Sequence, residues 1–431
     1  MYKVLQNLKG VGEMLTKAPR GTKDILPSES YKWQYIEGLI REICDVYGFK
    51  EIRTPGFEHT ELFLRGVGES TDIVRKEMYT FTDKGGRSIT LKAEGTSPAV
   101  RAFIEHNLYA ETQPTKLYYI TPVYRYERPQ SGRLREHHQF GVEIFGAKSA
   151  SADAEVISVA MTLLKKLGLN NLELRINSVG CPVCRKNYNK VLKDFLKDNL
   201  EYLCDDCKVR YEINPLRVLD CKVESCQMIT KDAPLITDYL CDDCKNHFEE
   251  LQKYLDVMGY DYIIDPRIVR GLDYYTKTAF EIISKDIGAQ GTVCGGGRYD
   301  GLIEECGGPS MPGVGFGMGL ERLLITLEQN SIEIPKPEGV DLFIAYVGED
   351  AKLFTFALAN KLRFNGLKVE RDNMERSLKA QMKYANKLNA KFAIVIGEEE
   401  MKENKVKLKD MRVGSEVEIS IDEIEQRIKN I

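Results

Sequence analysis

Arginine is concentrated in one short stretch of the chain, where proline and glycine interrupt it. Arg125-Tyr126-Glu127-Arg128 is followed five residues later by Arg133-Leu134-Arg135. A guanidinium group keeps its charge and presents paired donors that match a phosphate or a carboxylate. On a strand, Arg125 and Glu127 would share one face. The stretch therefore indicates a polyphosphate-binding site, and the alternative is a solvated, charged hairpin.

Glycine alternates with other residues near position 315, in Gly313-Val314-Gly315-Phe316-Gly317-Met318-Gly319, and Arg322 follows. This spacing does not fit the Gly-x-Gly-x-x-Gly fingerprint of a dinucleotide-binding turn. Glycine at every second position removes the side chains from one face of a strand, so a flat ring such as adenine could lie against the backbone. The alternative is close packing of the following helix on the strand.

A third motif combines a cation with two aromatic residues, in Arg270-Gly271-Leu272-Asp273-Tyr274-Tyr275-Thr276. Adjacent residues of a strand point to opposite faces, so we expect one tyrosine to face a pocket and the other to face the core. Arg270 is a second cation for a phosphate. The alternative is a structural Asp–Arg pair beside two core tyrosines.

Small polar groups precede a predicted helix in Glu94-Gly95-Thr96. A carboxylate and a hydroxyl in this arrangement would suit a substrate ammonium group, whereas simple capping of the helix by Thr96 or Ser97 is the alternative. Gln139 and Glu143 are four residues apart on a predicted strand, so they project to one face and could complete a small polar pocket.

Eight of the 11 cysteines lie within one lysine- and aspartate-rich segment. They form pairs of short spacing, and repeated Cys-x-x-Cys is typical of a zinc site. Structural zinc and reduced buried thiols both remain open. The candidate ligands are Cys181, Cys184, Cys204, Cys207, Cys221, Cys226, Cys241 and Cys244.

The composition is that of a folded protein of two to four domains. The 431 residues are 43% hydrophobic and 29% charged, and no apolar run is long enough to span a membrane. The net charge of −4 means that any contact with nucleic acid must come from a local patch. We expect no secretion signal at the N-terminus, where residues 1–13 form a leader of uncertain origin.

The elements that would position these residues predict an α+β fold. A helix over about 29–47, a hairpin around Asp83-Lys84-Gly85-Gly86, and strands over 116–126 and 137–145 indicate an antiparallel sheet with flanking helices. After position 340, strands and helices alternate as in a compact α/β domain. The predicted domains are a catalytic core in two parts (14–180 and 256–330), a Cys-rich helical insertion (181–255), a linker (331–340) and a C-terminal domain (341–431).

These motifs together resemble the histidyl-tRNA synthetases, a family of class II aminoacyl-tRNA synthetases. The helix 29–47 with the strand that ends at Pro55 is similar to motif one, a dimer interface. Arg125 to Gln139 is similar to motif two, and 313–323 to motif three. The segments 268–276 and 295–300 (Gly-Gly-Gly-Arg-Tyr-Asp) are specific to the histidyl family. A departure is Lys92-Ala93, where the family usually has Arg-Pro.

The resemblance implies that ATP, with Mg²⁺, activates L-histidine to histidyl-adenylate, and that histidine then passes to the 3′ end of tRNA(His). It also implies a cytoplasmic homodimer with a C-terminal anticodon-binding domain. For the phosphates and adenine it implies binding by Arg125, Glu127, Arg133, Arg270 and Arg322. Among these, Arg125, Arg270 and Arg322 would be catalytic, and Arg270 would stand where related enzymes use a metal.

For the histidine substrate, the resemblance implies a pocket in which the α-amino group is held by Glu94, Thr96 and Gln139, beside Gly95. The imidazole would meet Glu143 and Tyr275, with Tyr274 nearby. Gln130 would touch the acceptor end of the tRNA, over which the family carries an insertion at the place of the Cys-rich segment.

The C-terminal segment 361–391 carries an excess of six positive charges. Its predicted helix places Arg376, Lys379, Lys383 and Lys387 on one face. Beside the synthetase resemblance, this face is predicted to contact the tRNA anticodon, whereas in an isolated domain it would indicate only a solvated surface.

Two other classes of protein explain part of the sequence. The regulatory subunit of ATP phosphoribosyltransferase is related to the same family, but it lacks the C-terminal domain and loses active-site motifs. A zinc-ribbon nucleic-acid-binding protein would explain the cysteines and leave the arginine and glycine motifs without a role.

Overall fold

The structure, a computed structural model, describes residues 16–68, 71–129, 132–285 and 291–430. The leader 1–13 and Gln130, for which the sequence analysis makes predictions, lie outside the described residues. The chain divides into two compact units, of which the first ends at Ile334 and the second begins at Pro335. This boundary falls within the segment 331–340.

The first unit is organised around a large sheet. The strands of this unit are β1 (Lys50–Glu51), β2 (Phe57–His59), β3 (Thr80–Thr82), β4 (Ser88–Leu91), β5 (Thr115–Tyr124), β6 (Glu136–Phe145), β7 (Leu172–Ser178), β8 (Tyr262–Ile264), β9 (Thr276–Ser284), β10 (Thr292–Arg298) and β11 (Gly313–Gly319). The large sheet has the order β1-β5-β6-β11-β10-β9-β7-β8. Its inner neighbours are antiparallel, as predicted, whereas the edge pairs β1–β5 and β7–β8 are parallel. The predicted hairpin is confirmed as β3–β4, which joins β2 in a small separate sheet.

Helices cover the large sheet. They are α1 (Pro27–Val46), α2 (Thr60–Val67), α3 (Thr96–Glu105), α4 (Ala150–Lys166), α5 (Pro182–Lys197), α6 (Asp205–Ile213), α7 (Glu224–Ile229), α8 (Asp242–Val257), α9 (Leu302–Glu305) and α10 (Leu320–Gln329). The Cys-rich insertion is helical, as predicted, and contains α5 to α8. On β6 the residues Phe140, Val142 and Ile144 enter a core shared with α1, α4 and α10. The alternate residues of β6 therefore face the opposite side of the sheet.

A row of glycines crosses three adjacent strands on that opposite side. Gly141 of β6 pairs with Gly317 of β11, which pairs with Gly295 of β10. The row continues to Tyr119 on β5 at one end and to Glu281 on β9 at the other. The three glycines have no side chains, and the space above them is occupied by the side chains of Tyr119, Gln139 and Arg270, which therefore lie flat against this face of the sheet.

The second unit is an α/β domain, as predicted. Its elements are β12 (Leu342–Tyr346), α11 (Glu349–Phe364), β13 (Val369–Arg371), α12 (Leu378–Lys387), β14 (Phe392–Ile396), α13 (Glu398–Glu403), β15 (Lys405–Asp410), β16 (Glu416–Ser420) and α14 (Ile424–Lys429). The strand order is β13-β12-β14-β15-β16. The first three strands are parallel and the last two are added antiparallel.

Candidate active site

The arginines of the three sequence motifs meet in one cavity above the glycine row. This cavity has a volume of about 1000 Å³ and is lined by Arg125, Arg270 and Arg322 together with Glu127 and Arg133. Its size is at the upper end of the range for small-molecule sites. Residues separated by up to 197 positions in the sequence are therefore brought to one concave surface, as the motif analysis requires.

Arg125 lies just beyond the end of β5, and not within a strand as the sequence predicted. Its backbone still pairs with Arg135, and its Nε donates a hydrogen bond of 2.8 Å to the Ala93 carbonyl oxygen. This bond fixes the Nε of the guanidinium group, and the residue lines the cavity. Glu127 also lines the cavity, 3.6 Å from Arg133.

Positive charge accumulates where Arg322 enters the cavity from the first turn of α10. Burial lowers the pKa of Arg322, and the nearby Arg133 lowers it further. The Arg322 guanidinium donates to the Thr292 carbonyl oxygen over 3.1 Å, which places it beside β10. Like charges held close together favour the binding of a polyphosphate.

Arg270 is paired with Glu281, the carboxylate at the end of the glycine row. The two form a hydrogen-bonded ion pair, and the guanidinium lies over Gly295, where an added Cβ would collide with it. Burial acts to lower the pKa of Arg270, but the Glu281 carboxylate raises it above its ordinary value. Arg270 is thus a fixed cation on the floor of the cavity.

A smaller cavity of about 250 Å³ adjoins the first and shares Arg125 and Arg270 with it. The predicted histidine-site residues that line it are Glu94, Thr96, Gln139, Tyr274 and Tyr275. It is closed at the bottom by the same glycine-bearing strands. The arrangement places a small polar pocket directly beside the arginine-lined cavity.

The start of α3 is capped by Glu94, and not by Thr96 or Ser97 as in the alternative given for this motif. The Glu94 carboxylate accepts hydrogen bonds from the backbone N–H groups of Thr96 and Ser97, over 2.7 and 2.6 Å. A carboxylate is favoured at a helix N-terminus by the unpaired N–H groups there. Gly95 donates its own N–H to Gln139 over 3.0 Å, and Tyr119 occupies the space that a Cβ on Gly95 would need.

Glu143 lies one layer behind the wall of the smaller cavity. Its carboxylate is fully buried and accepts hydrogen bonds from the hydroxyls of Thr96 (2.8 Å), Tyr119 (2.9 Å) and Tyr299. Burial raises the pKa of Glu143 to about 8, although the three hydroxyl donors act to lower it. Sequence analysis missed Tyr119 and Tyr299 as partners, although Tyr299 belongs to the Gly-Gly-Gly-Arg-Tyr-Asp motif.

Tyr274 and Tyr275 both line the smaller cavity, so the prediction that one of them faces the core is wrong. The reason is that β9 begins only at Thr276. The tyrosines therefore lie in a loop, where the alternation of a strand does not apply.

The glycines of β11 divide into two pairs with different roles. Added Cβ atoms at Gly313 and Gly315 would collide with Tyr299 and Glu143, so these glycines make room for side chains of the protein. Gly317 and Gly319 line both cavities. An added Cβ at Gly317 would also collide with the Gln139 amide, so among these four glycines only Gly319 has no close neighbour, and the face open to a flat ring stays a prediction.

The arginine of the Gly-Gly-Gly-Arg-Tyr-Asp motif supports the site from below. Arg298 is fully buried and pairs with the buried Asp153. Burial acts to raise the pKa of Asp153, but Arg298 and His247 lower it to about 2.

Lys92, the departure from the family pattern, is also buried. Its Nζ donates to the Thr121 hydroxyl over 2.6 Å and to the Thr54 carbonyl oxygen over 3.1 Å. Its role here is structural.

The eight cysteines of the insertion come together in two groups within the described residues. One group contains Cys181, Cys184, Cys241 and Cys244, and the other contains Cys204, Cys207, Cys221 and Cys226. In each group the sulfur atoms all lie within 4.8 Å of one another. Four thiolates at such distances could hold a metal ion.

A mainly antiparallel sheet that carries an arginine-lined cavity beside a small polar pocket is the arrangement of a class II aminoacyl-tRNA synthetase. The histidyl-tRNA synthetase family model matches residues 21–186 and 209–323, and an anticodon-binding domain model matches 341–431. The chain belongs to the histidyl-tRNA synthetase family. It is accordingly a ligase that joins histidine to tRNA.

Individual relatives agree over almost the whole chain. The histidine–tRNA ligase of Thermoanaerobacter pseudethanolicus is 98% identical over 418 residues, which cover 97% of this chain and all of that protein. The histidine–tRNA ligase of Caldanaerobacter subterraneus is 88% identical over 417 residues, again 97% of this chain and all of that protein. The crystal structure of apo S. aureus histidyl-tRNA synthetase matches with a TM-score of 0.83 and 44% identity, covering 96% of this chain and all of that one.

The match to an anticodon-binding domain separates this chain from the regulatory-subunit alternative, which lacks that domain.

Part of the predicted cationic face differs in the structure, because Arg376 precedes α12 and its side chain pairs with Asp372. Lys379, Lys383 and Lys387 are exposed on α12. No helix within the described residues is both long and apolar enough to cross a membrane.

Proposed function

We propose that the two adjoining cavities bind ATP and histidine side by side, so that the chain forms histidyl-adenylate before it esterifies tRNA(His). The observation that carries this proposal is the convergence of Arg125, Arg270 and Arg322 on one cavity next to the polar pocket. Arg125 and Arg270 belong to both cavities and so mark the point where carboxylate and α-phosphate would meet.

Each arginine has a distinct part in this scheme. Arg125 binds the α-phosphate and the histidine carboxylate, and Arg270 binds the α-phosphate from the opposite side. Arg133 and Arg322 meet the distal phosphates and adenine, with Glu127 beside them. Glu127 and Glu281 both line the cavity, and carboxylates of this kind suit Mg²⁺ that arrives with ATP. The ion would supply charge neutralisation to the phosphates.

The histidine is proposed to lie in the smaller cavity. Glu94, Thr96 and Gln139 hold its α-amino group, and Tyr274 and Tyr275 lie at its imidazole. Glu143 acts from behind Thr96, through the hydroxyls that it organises. A buried donor or acceptor without a partner costs about 1–3 kcal/mol, so a pocket with these partners favours imidazole over an apolar side chain of similar size.

Adenylate formation is an in-line displacement in which a carboxylate oxygen attacks phosphorus and pyrophosphate leaves. The attacking group is already an anion, so the step needs no general base. Alignment of the reactants and fixed positive charge around the phosphorus supply the catalysis. Because Glu281 and Ala93 already hold Arg270 and Arg125 in place, little reorganisation is needed when charge develops.

Three further features belong to the same proposal. The chain is a homodimer through α1 and β1, as in family motif one, and α1 exposes Tyr35 and Val46. It works in the cytoplasm, where ATP and tRNA are present. The cysteines of the insertion bind zinc, and this ion has a structural role.

Histidine-dependent exchange of pyrophosphate into ATP tests the proposed function. We expect exchange with histidine that exceeds exchange with other amino acids by several orders of magnitude, and it should not require tRNA. Exchange that is absent, or that is equally fast with alanine and with histidine, would contradict the proposed site.

A further inference from the structure

The distances between the sulfur atoms of the two cysteine groups fit two metal sites. The spacing of the cysteines in the sequence could not show this. Tetrahedral zinc with bonds of about 2.3 Å requires sulfur atoms about 3.8 Å apart. The distances are 3.6 Å for Cys181–Cys184, 3.9 Å for Cys181–Cys241 and 3.8 Å for Cys204–Cys221. These separations are far longer than the S–S bond of a disulfide.

Backbone N–H groups are directed at several of the sulfur atoms. Cys241 donates its N–H to the Cys184 sulfur over 3.1 Å, and Cys204 donates to the Cys226 sulfur over 3.3 Å. Val223 donates to the Cys221 sulfur over 3.5 Å. Hydrogen bonds of this kind orient and stabilise thiolate ligands around a metal.

The group that contains Cys181, Cys184, Cys241 and Cys244, here called the inner group, joins the two ends of the insertion. Cys181 and Cys184 straddle the beginning of α5, and Cys241 and Cys244 straddle the beginning of α8. The pairs are thus separated by more than 50 residues but meet at the base of the insertion. Gly180 permits this approach, because its φ of +65° and its contact with Cys184 exclude a side chain.

The other group, which contains Cys204, Cys207, Cys221 and Cys226, is here called the outer group. It lies beside the larger cavity, which its chain neighbours Asp220 and Lys222 line. Cys204 and Cys207 straddle the start of α6, whereas Cys221 and Cys226 lie before and within α7. The segment between these pairs carries Arg217, which is buried and lines the larger cavity. The family model does not match residues 187–208, where the first of these pairs lies.

Arg217 connects the outer group to the histidyl motif. Its Nη1 donates to the Gly271 carbonyl oxygen over 2.8 Å, directly after Arg270 in the chain. Its Nη1 is 4.0 Å from Asp273, and its Nη2 is 3.9 Å from Asp72. Its Nε has no hydrogen-bond partner among the described residues. The Arg217 side chain is therefore a buried cation at the wall of the cavity, whereas Arg125, Arg270 and Arg322 are only partly buried there.

We propose that the insertion binds two zinc ions at separate tetrathiolate sites, and that the outer ion fixes Arg217 at the catalytic cavity. This inference rests on the proposed function only for its second part, because the cavity must be the ATP site. The inner ion closes the base of the insertion. The outer ion links metal content to the activation of histidine.

Metal analysis of the full chain, purified without chelator and incubated with zinc, tests the first part. We expect two zinc ions per chain in the wild type. One ion should remain in the Cys204→Ser/Cys207→Ser variant, and one in the Cys181→Ser/Cys184→Ser variant. The control is Cys306→Ser, which changes a cysteine outside both groups and should keep two ions. A wild type that holds one zinc ion or none would overturn the two-site assignment. So would a wild type in which all eight cysteines of the two groups react freely as thiols.

Exchange kinetics test the second part. The Cys204→Ser/Cys207→Ser variant should lose at least about tenfold in exchange, mainly through the KM for ATP, since a displacement of about 1 Å is enough for such losses. Arg217→Ala should show the same loss while it retains two zinc ions. An outer-site variant with one ion and wild-type exchange would overturn the link to Arg217. Absence of histidine-dependent exchange in the wild type would instead refute the proposed function and leave the zinc count unaffected.

Discussion

Glu143 shows how far the surroundings of one residue can alter its chemistry. Among the described residues Glu143 has no charged hydrogen-bond partner, and three hydroxyl groups donate to it in a fully buried position. Because burial raises the pKa of Glu143 to about 8, the carboxyl group retains a proton in the folded protein at pH values where it is ionised in the unfolded chain. Stability must therefore depend on pH through this residue.

The sign of this dependence can be measured with Glu143→Gln. Glu143 stabilises the fold fully below its ordinary pKa of 4.5, and this contribution is lost as the pH rises to about 8. The slope is at most about 1.4 kcal/mol per pH unit. Denaturant unfolding at several pH values should show that the wild type loses stability relative to the variant over this window.

The control for this series is Glu61→Gln, which changes an exposed carboxylate on α2. It should leave the shape of the stability curve unchanged. If Glu143→Gln also gave a curve parallel to the wild type from pH 4.5 to pH 8, the protonated state of Glu143 would be refuted.

At the scale of elements, the site depends on register between strands. Gly141, Gly317 and Gly295 belong to three different strands, and only the pairing of these strands makes a continuous glycine row. Tyr119 and Arg270 then cover the two ends of the row. A side chain at Gly317 or Gly295 would disturb both cavities, because these two glycines line both of them.

Gly317→Ala should impair binding and leave the fold intact. The added Cβ would collide with the amide of Gln139, which is the movable end of a long side chain, so the cost falls on the pocket and not on the sheet. We expect the KM for histidine in pyrophosphate exchange to rise on the order of tenfold or more, with a thermal midpoint within a few degrees of the wild type.

Gly56→Ala is the matched control, since an added Cβ there meets nothing within 4 Å. It should leave both KM values and the thermal midpoint unchanged. An unaltered KM for histidine in Gly317→Ala would show that the glycine row is not part of the histidine site.

Local sequence signals predicted the elements well. The hairpin β3–β4 and the paired strands β5 and β6 follow from turn residues and alternation, which act over a few positions. The cavity arginines were predicted from their chemistry. By contrast, the orientation of Tyr274 and Tyr275 was predicted wrongly, because the start of β9 depends on its pairing with β7 and β10 and not on its own residues.

The features that sequence reasoning missed all depend on contacts between distant segments. Glu281 pairs with Arg270, and Tyr299 donates to Glu143. Both glutamates lie on strands whose register is fixed by the whole sheet, and their partners lie outside the strands. The cysteine groups combine pairs that are not adjacent in the sequence. The spacing of the cysteines in the sequence could not show which pairs share a group.

At the scale of the whole molecule, the proposed function divides the recognition of substrates between the two units. The first unit carries the two cavities proposed to bind ATP and histidine, and the second matches an anticodon-binding domain. Exchange of pyrophosphate needs only the first set of contacts, whereas aminoacylation needs both. Variants in the second unit should therefore separate the two assays.

The combined replacement of Lys379, Lys383 and Lys387 by alanine tests this division. These exposed cations of α12 are expected to contact tRNA phosphates, so the KM for tRNA should rise, and the dependence of log K on log salt should flatten by up to about 2. Pyrophosphate exchange should be unchanged. Replacement of Lys402, Lys405 and Lys407 removes the same charge elsewhere in this unit and should have a much smaller effect. Equal effects of the two triple variants would remove the special role of α12.

The central claim is that arginines from distant motifs stabilise the phosphorus centre during activation of histidine, and Arg270→Ala tests it most directly. We predict that its rate of histidine-dependent pyrophosphate exchange falls on the order of a hundredfold or more, while the thermal midpoint stays close to that of the wild type. Arg267→Ala, which removes an exposed arginine three residues away, should retain full exchange. Near-normal exchange in Arg270→Ala would contradict the account.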